Sequence, residues 1–575
     1  MATHAETVPD TLVLEDHARA ALNALTRYVD EPADDRPYMT ASLDRDPATL
    51  SHSGWDFGSS VGRLVSSITL AREMTGDRET GADVEERLRE RLLDMFADDG
   101  LNYREETDHG EPRANMHDQR SVLLGLTTWY LATGDEDVRA AADDLCAALK
   151  RIAVKEGHPH LAKQDFWYYP ATEYTPDGWP SEDAVFLGMN VDPAHTSARL
   201  LNPLAKYHEA TGNRDALELG RYFGRHTVEY SGSINDDGSF NVGTEFRTGH
   251  FHSRMVSVTA VARFAALDDD AAHLAWARDV FEWALEQGTA YGWFPHAMRE
   301  DYVHKHETCA LVDMIELGIL LAERGHPSYW GDVERFVRNQ LVGSQLLETD
   351  WIREADEPAD DGHRDVAARS RGAFPGWAAA NDFVCDVGSN PDVMTCCVAS
   401  GTRGLFLAWQ NAVTVTETDG GPSADPTREV SVNLLLNRHT PALDVHSWLP
   451  HEGRVELAAH EPADLLRVRI PEWADPQRVS LAVDGEDART HWDGPFLVTR
   501  DVHAGADLAL TFGVRETETV ETAADREFLV EWRADDVLSI SPEGSVHPLF
   551  ADREVHESVG ERDADLEPGP AAVRW

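Results

Sequence analysis

The sequence predicts a helical toroid, an (α/α)6 barrel, followed by an antiparallel β-sandwich. Two observations predict the toroid. Through the first 345 or so residues, apolar side chains recur at i, i+3, i+4 and i+7, as in Leu311, Met314, Ile315, Gly318 and Ile319. One unit also recurs along that stretch: an apolar helix, a Gly or Asp turn, then a helix rich in Ala and Arg. A third observation predicts the sandwich. From about Val415 the runs shorten, several alternate with period two, and Pro, Gly and Asp bound them.

The helical units can be followed in order. Val61–Met74 leads into Thr75-Gly76-Asp77, and Ser121–Ala132 into Thr133-Gly134-Asp135. Leu200–Ala210 leads into Thr211-Gly212-Asn213, Met255–Ala266 into Leu267-Asp268-Asp269-Asp270, and Leu311–Glu323 into Arg324-Gly325-His326. Gly just past a helix suits its C-terminal turn, and the Asp or Asn after it suits the next N-cap. Successive turns lie about 56–78 residues apart, so each interval holds two helices and a long loop. Five such hairpins, with one more after Ser400, make six. Six hairpins close into an (α/α)6 barrel whose long loops gather at one end; an open helical array is the alternative.

The strands of the second region are Glu429–Leu436, Ala442–Trp448, Arg454–Ala459, Leu465–Ile470, Val479–Val483, Gly494–Val502 and Leu508–Gly513, with a last pair in Glu527–Pro542. That many short runs suggests a sandwich. The expected organisation is a catalytic barrel over 1–414, a sandwich over 415–550, and an acidic tail over 551–575, poor in apolar residues and expected to be poorly ordered.

Composition bounds the rest. The chain has 575 residues, 42% hydrophobic and 16 of them Trp, enough for full cores without cross-links. Acidic residues number 103 against 51 basic, a formal charge of −52, and only five of the basic residues are Lys (150, 155, 163, 206, 305). Such self-repulsion is tolerable where the Debye length falls to about 3 Å, near 1 M salt. A salt-in halophile is therefore expected as the source. The charge excludes nucleic acid and anionic membrane as partners, since both require basic surface. The first ten residues lack the basic and apolar regions of a secretory leader, and the five cysteines form no disulfide pattern, so a reducing cytoplasm is expected.

The loops at 157–193 and 235–254 are rich in aromatics, Gly, Pro and Asp. Phe166-Trp167-Tyr168-Tyr169 and Trp179 either stack on sugar faces over the cleft or pack the loops down. Asp165, Glu173, Glu182 and Asp183 lie among them, but in so acidic a chain their proximity to aromatics is expected by chance. The sequence contains no phosphate-binding Gly-rich loop, no Gly-x-Ser-x-Gly and no His-Glu-x-x-His.

The sharpest constellation joins His306-Glu307-Thr308-Cys309 with Thr395-Cys396-Cys397. It places three of the five cysteines and a carboxylate at the starts of helices that follow long loops. Three thiolates and a carboxylate complete a tetrahedral zinc site. Two buried thiols that happen to be neighbours are the alternative, and a vicinal disulfide is strained.

Glu307-Thr308-Cys309-Ala310, then Asp332-Val333-Glu334-Arg335 with Asn339, then Cys396-Cys397 with Arg403, resemble glycoside hydrolase family 127 over about 245–415. Leu465–Trp473 is similar to that family's Arg-Ile-Pro-x-Trp strand. The characterised members are β-L-arabinofuranosidases with an (α/α)6 barrel followed by β-sandwich domains. The resemblance implies Zn2+ held by Glu307, Cys309, Cys396 and Cys397, with Cys396 as the nucleophile of a retaining hydrolysis. His250 falls where the family has a sugar-contacting His. His252, where the family has Asn, and His195, in a loop of the same kind, join it as candidates for substrate binding.

The sequence departs from the family at the general acid/base. Counting back from Glu307 reaches Tyr291, and Gly292-Trp293 puts Trp where the family has Glu. Glu300 and Glu245 are the substitute candidates, with Asp301 beside the first. The Pro after the paired cysteines is replaced by Val398-Ala399-Ser400. The expected function is a zinc-dependent retaining glycoside hydrolase acting on a small glycoside or oligosaccharide, a furanoside among the options. The expected assembly is a homodimer. A sugar epimerase or lyase-like enzyme using His250 and His252 is a second reading. A degenerate member that binds carbohydrate without turnover, or serves as an assembly subunit, is a third.

Overall fold

A computed structural model describes residues 4–104, 112–155, 166–180, 196–242, 249–300, 302–385, 391–418, 427–551, 553–556, 559–567, 569 and 571–575. Twelve helices build the barrel: α1 (Leu14–Arg27), α2 (Gly58–Thr75), α3 (Ala82–Asp94), α4 (Met116–Thr133), α5 (Glu136–Ile152) and α6 (Leu201–Thr211), then α7 (Arg214–Arg225), α8 (Phe251–Leu267), α9 (Ala271–Leu285), α10 (Thr308–Glu323), α11 (Tyr329–Phe336) and α12 (Thr395–Asn411).

The even-numbered helices form the inner ring. Each packs on the next, and α12 packs back on α2, so the ring is closed. Composition explains which helices go inside. Nearly every residue of α8, α10 and α12 is buried, whereas α5 buries only one face, through Val138, Ala142, Leu145, Cys146, Leu149 and neighbours. A helix that is apolar all round must be enclosed; an amphipathic one covers the ring from outside. Each hairpin therefore runs inner helix, tight turn, outer helix. Gly134 and Gly212 end α4 and α6 at φ 69° and 73°, a left-handed conformation in which a side chain is strained. The caps follow as expected: Asp135 accepts from the amides of Asp137 and Val138, and Asp270 from those of Ala272 and His273.

The sixth pair differs from the expectation. No hairpin follows Ser400; α12 begins at Thr395 and passes directly into the strand Val413–Thr418. Its outer partner is α1, from the other end of the chain, which packs on both α12 and α2. The first helix thus closes the ring.

The sandwich has a five-stranded and a six-stranded sheet. The first runs His491–Asp493, Phe496–Val502, Ala463–Arg469, Thr427–Val432, Val413–Thr418; the second runs Arg438–His439, Leu443–Ser447, Arg454–Ala459, Asp507–Thr511, Ser480–Val483, Glu486–Asp487. Pairing is antiparallel except between Thr427–Val432 and Ala463–Arg469, which run parallel. Alternation sets the faces: Val455, Leu457 and Ala459 point into the core while their neighbours are half-buried. Three further strands, Glu516–Ala523, Arg526–Arg533 and Asp536–Ser541, form a separate sheet. Its Phe528, Val530 and Trp532 join the core of the barrel, not that of the sandwich.

Part of the acidic tail, expected to be poorly ordered, forms a strand. Glu561–Leu566 pairs antiparallel with His4–Pro9. Ala564 and Leu566 pack with Val8 and Val13. A strand needs only alternate residues apolar, so two such positions suffice in the acidic run ERDADL. Beyond it, Val573 is fully buried, its carbonyl accepts from Gln410 Nε2 at 2.7 Å, and Lys206 Nζ lies 3.6 Å from the centre of the Trp575 ring. This segment seals the end of the barrel where α12 finishes. No helix among the described residues is long and apolar enough to cross a membrane.

Candidate active site

Because five of the six inner helices are followed by a short turn at their C-termini, the long loops collect at the N-termini. There they enclose a cavity of about 270 Å³. Five inner helices supply its walls from their first two turns or caps: Ser59 and Arg63 from α2, His117 from α4, His250 and His252 from α8, Glu307 from α10, Cys396 from α12. Arg199, just before α6, completes the set, and Trp55, Tyr302 and Trp377 come from loops. The positive ends of the helix dipoles converge here, which favours anionic groups such as a carboxylate or a thiolate. A larger hollow of about 500 Å³ lies between α12, the sandwich and the C-terminal segment, and none of these side chains lines it.

Glu307, Cys309, Cys396 and Cys397 converge, with one ligand atom of each within 4.8 Å of the others, and all four are buried. The Sγ atoms of Cys309 and Cys397 lie 3.7 Å apart and those of Cys396 and Cys397 4.0 Å. Four ligands about 2.3 Å from a tetrahedral zinc would stand about 3.8 Å apart. The donor set and its spacing therefore fit a metal ion. The helical backbone turns the adjacent thiols different ways. Cys396 lines the cavity, whereas Cys309 and Cys397 lie behind it and are fully buried. Hydrogen bonds from Cys309 and Cys397 hold the Cys396 thiol well below its ordinary pKa, and the nearby Arg63 charge acts the same way. Burial pushes the Cys309 and Cys397 thiols up.

Glu307 is oriented by two imidazoles. Burial opposes its charge, but His250 and His296 outweigh burial and hold its carboxyl well below the ordinary range. His250 Nε2 donates to Glu307 Oε2 at 2.7 Å, and His296 Nδ1 donates to the same oxygen at 2.8 Å. Arg199 donates to His250 Nδ1 at 2.8 Å and to His117 Nδ1 at 2.9 Å, which fixes the proton of His250 on Nε2. Burial pushes the His250 pKa down to about 4, so near neutral pH it is an uncharged donor.

His252 is placed differently. Its Nδ1 donates to Asp313 at 2.5 Å and its Nε2 accepts from Arg120 at 3.3 Å, so both nitrogens are taken and only ring surface meets the cavity. Asp313 in turn accepts from Arg403 at 2.8 Å, and the chain of charges continues down the barrel axis to Glu316. Glu316 is held by Lys206 and Arg263, each at 3.0 Å.

The acid/base candidates fare otherwise. Glu300 is exposed and is not among the side chains lining the cavity. Glu245 and His195 lie outside the described residues, as do Asp165, Glu182, Asp183 and Asp301. Glu173 pairs with Arg113 at 2.7 Å. The described aromatics of the first loop are packed down: Trp167 stacks on Tyr222 at 4.3 Å, Phe166 lies tilted against Tyr230 at 4.2 Å, and Trp179 Nε1 donates to the Ile152 carbonyl. Arg63, His117, Arg199, His296, Tyr302 and Trp377 carried no motif. Several sit at the start of an inner helix, and a search of those first turns would have found them.

No family model and no curated protein sequence matches the chain. The architecture is that of the barrel-and-sandwich glycoside hydrolases. A family 127 β-L-arabinofuranosidase of Geobacillus stearothermophilus T6 superposes with a TM-score of 0.56 at 13% identity, over 92% of this chain and 80% of that one. A second family 127 β-arabinofuranosidase superposes with a TM-score of 0.56 at 13% identity, over 93% of this chain and 83% of that one. A third structure, described only as a glycoside hydrolase, gives 0.52 at 13%, over 89% and 84%. At this identity the likeness shows a shared fold.

Proposed function

We propose that the protein is a zinc-dependent glycoside hydrolase that cleaves a small glycoside or oligosaccharide with retention, using Cys396 as nucleophile. One observation carries the reading: of three clustered thiols, only Cys396 faces the cavity, beside the carboxylate that completes the donor set. Glu307, Cys309, Cys396 and Cys397 would hold the zinc, whose contribution is to keep the Cys396 sulfur as thiolate. His250 and His296 orient Glu307 through its Oε2. Cys396 Sγ attacks the anomeric carbon from the face opposite the leaving group, and the glycosidic C–O bond breaks. Among the described residues Glu307 is the only carboxylate lining the cavity, so the departing oxygen takes its proton from a lining imidazole or phenol or from water. Water then displaces the sulfur, giving net retention.

A sugar epimerase or lyase reading draws on the imidazoles of His117, His250 and His296 around the same cavity. Product analysis separates the two, because an epimerase releases no free aglycone. The test of the first reading is zinc per chain by elemental analysis, beside Cys397→Ser, followed by a screen of aryl furanosides and pyranosides. One zinc, lost in the variant, with release of the aglycone is expected. A chain without zinc would remove the thiolate mechanism, and sugar binding without turnover would leave a carbohydrate-binding protein.

A further inference from the structure

The inference concerns the charge of the substrate, and it rests on the hydrolase reading for the cavity's role. Arg63 projects from the second turn of α2 and lines the cavity beside Cys396. It makes no hydrogen bond and no ion pair with any described residue, whereas most other interior guanidiniums have a carboxylate. Arg72 has Glu85, Arg104 has Asp118, Arg263 has Glu316, Arg338 has Glu334 and Arg403 has Asp313.

Its neighbours do not compensate it. Arg199 spends its hydrogen bonds on His117, His250 and Ser253, all uncharged acceptors. Arg120 donates to the neutral His252. No described carboxylate lies within ion-pair distance of either, and the charge of Arg63 bears on both. Arg63 and Arg199 therefore both line a cavity in a chain of net charge −52, while Arg120 is buried and does not line it. Like charges this close cost stability unless something negative answers them.

Arg199 is bound by three acceptors, and Arg63 is the member with its donors still open to the cavity. A guanidinium matches a planar carboxylate or a sulfate through paired N–H donors.

We propose that the cavity takes a glycoside bearing one anionic group, a uronic-acid carboxylate or a sulfate ester, anchored by Arg63. The structure thus assigns an acidic-sugar subsite. Trp55 and Trp377 flank the same space and supply apolar faces for the sugar ring.

The test is equilibrium binding to the zinc-loaded full chain. The probes are D-glucuronate and D-galacturonate, glucose 6-sulfate, and the neutral comparators D-glucuronamide and glucose. Acidic sugars are expected to bind at least about tenfold more tightly than their neutral counterparts. Arg63→Gln is expected to erase that preference while zinc content and melting temperature stay unchanged. The two acidic arms distinguish the sources: preference for the uronates identifies a carboxylate, preference for the sulfate an ester. Equal binding of neutral and acidic sugars, no binding of any acidic sugar, or a preference that survives in Arg63→Gln would overturn the inference and leave the hydrolase reading standing. Retained preference for acidic sugars with no turnover of any glycoside would sink the hydrolase reading and leave this subsite.

Discussion

Two buried clusters of charge lie in the barrel, and they are built on opposite principles. At the seam with the sandwich, Glu334 accepts from Arg338 Nε at 2.7 Å, from the Leu435 amide at 3.1 Å and from Arg469. Arg338 also reaches the Leu435 carbonyl at 2.6 Å, and Asn339 exchanges hydrogen bonds with Asp535 and Val537. Every charge there has a partner inside the protein. At the cavity, three thiols crowd one carboxylate, and neither Arg63 nor Arg199 is paired with a carboxylate among the described residues. A fully matched cluster joins two domains, while a mismatched one awaits an ion or a ligand. Part of each cluster falls within the residues that carry the family resemblance. Glu334, Asn339 and the Arg469 strand serve architecture; Glu307, Cys309, Cys396 and Cys397 belong to the site.

The contrast can be broken experimentally. The largest effect is expected from Cys396→Ser, which abolishes turnover and leaves the melting temperature and circular dichroism of the wild type; an active variant would end the nucleophile assignment. Glu334→Ala strands Arg338 and Arg469 without their carboxylate and should cost about 3–5 kcal/mol in denaturant unfolding, with zinc content unchanged. If it instead silenced the enzyme at full stability, the seam would have a catalytic role and the comparison would fail.

Acid should act more gradually. Burial opposes the charge on Glu316, and the surrounding Lys206, Arg403 and Arg263 nevertheless hold its carboxyl below the ordinary 4.5; Glu334 is held down by Arg469 and Arg338 in the same way. A carboxylate depressed in the folded state stabilises it above the unfolded pKa, and that stability is lost as pH falls toward the folded value. Melting temperature should therefore decline below about pH 4.5, and Glu316→Gln should flatten the decline. An equal acid slope in the variant would remove Glu316 as a cause.

The smallest effect is expected at Glu300. It is exposed and outside the cavity, so Glu300→Gln should leave stability within about 0.5 kcal/mol and turnover unchanged. A fall in kcat of about a hundredfold or more would restore it as the general acid.

Much of the fold was legible because its signals are local. The apolar repeat of α10, the Gly-Asp turn after α4 and the alternation in Arg454–Ala459 each lie within one element. The four ligand residues were legible because they fall in two short motifs. The strand in the tail went unrecognised because two apolar residues at strand spacing disappear in an acidic average. The sixth helical pair was misjudged because α1 and α12 stand almost 400 residues apart, and no window of sequence spans them. The first aromatic loop left two options open, and packing against Tyr222 and Tyr230 chose between them.

By itself the sequence determined the repeating hairpins, the switch to strands, the excess of acid and the pairing of Glu307-Thr308-Cys309 with Cys396-Cys397, because periodicity, turn chemistry and composition act over a few residues. Tertiary structure alone decided which thiol meets the cavity and which imidazoles hold Glu307. It also decided that Arg63 stands without a carboxylate in a chain full of them. Those outcomes depend on which helix ends the closed ring brings together, and ring closure is a property of the whole chain.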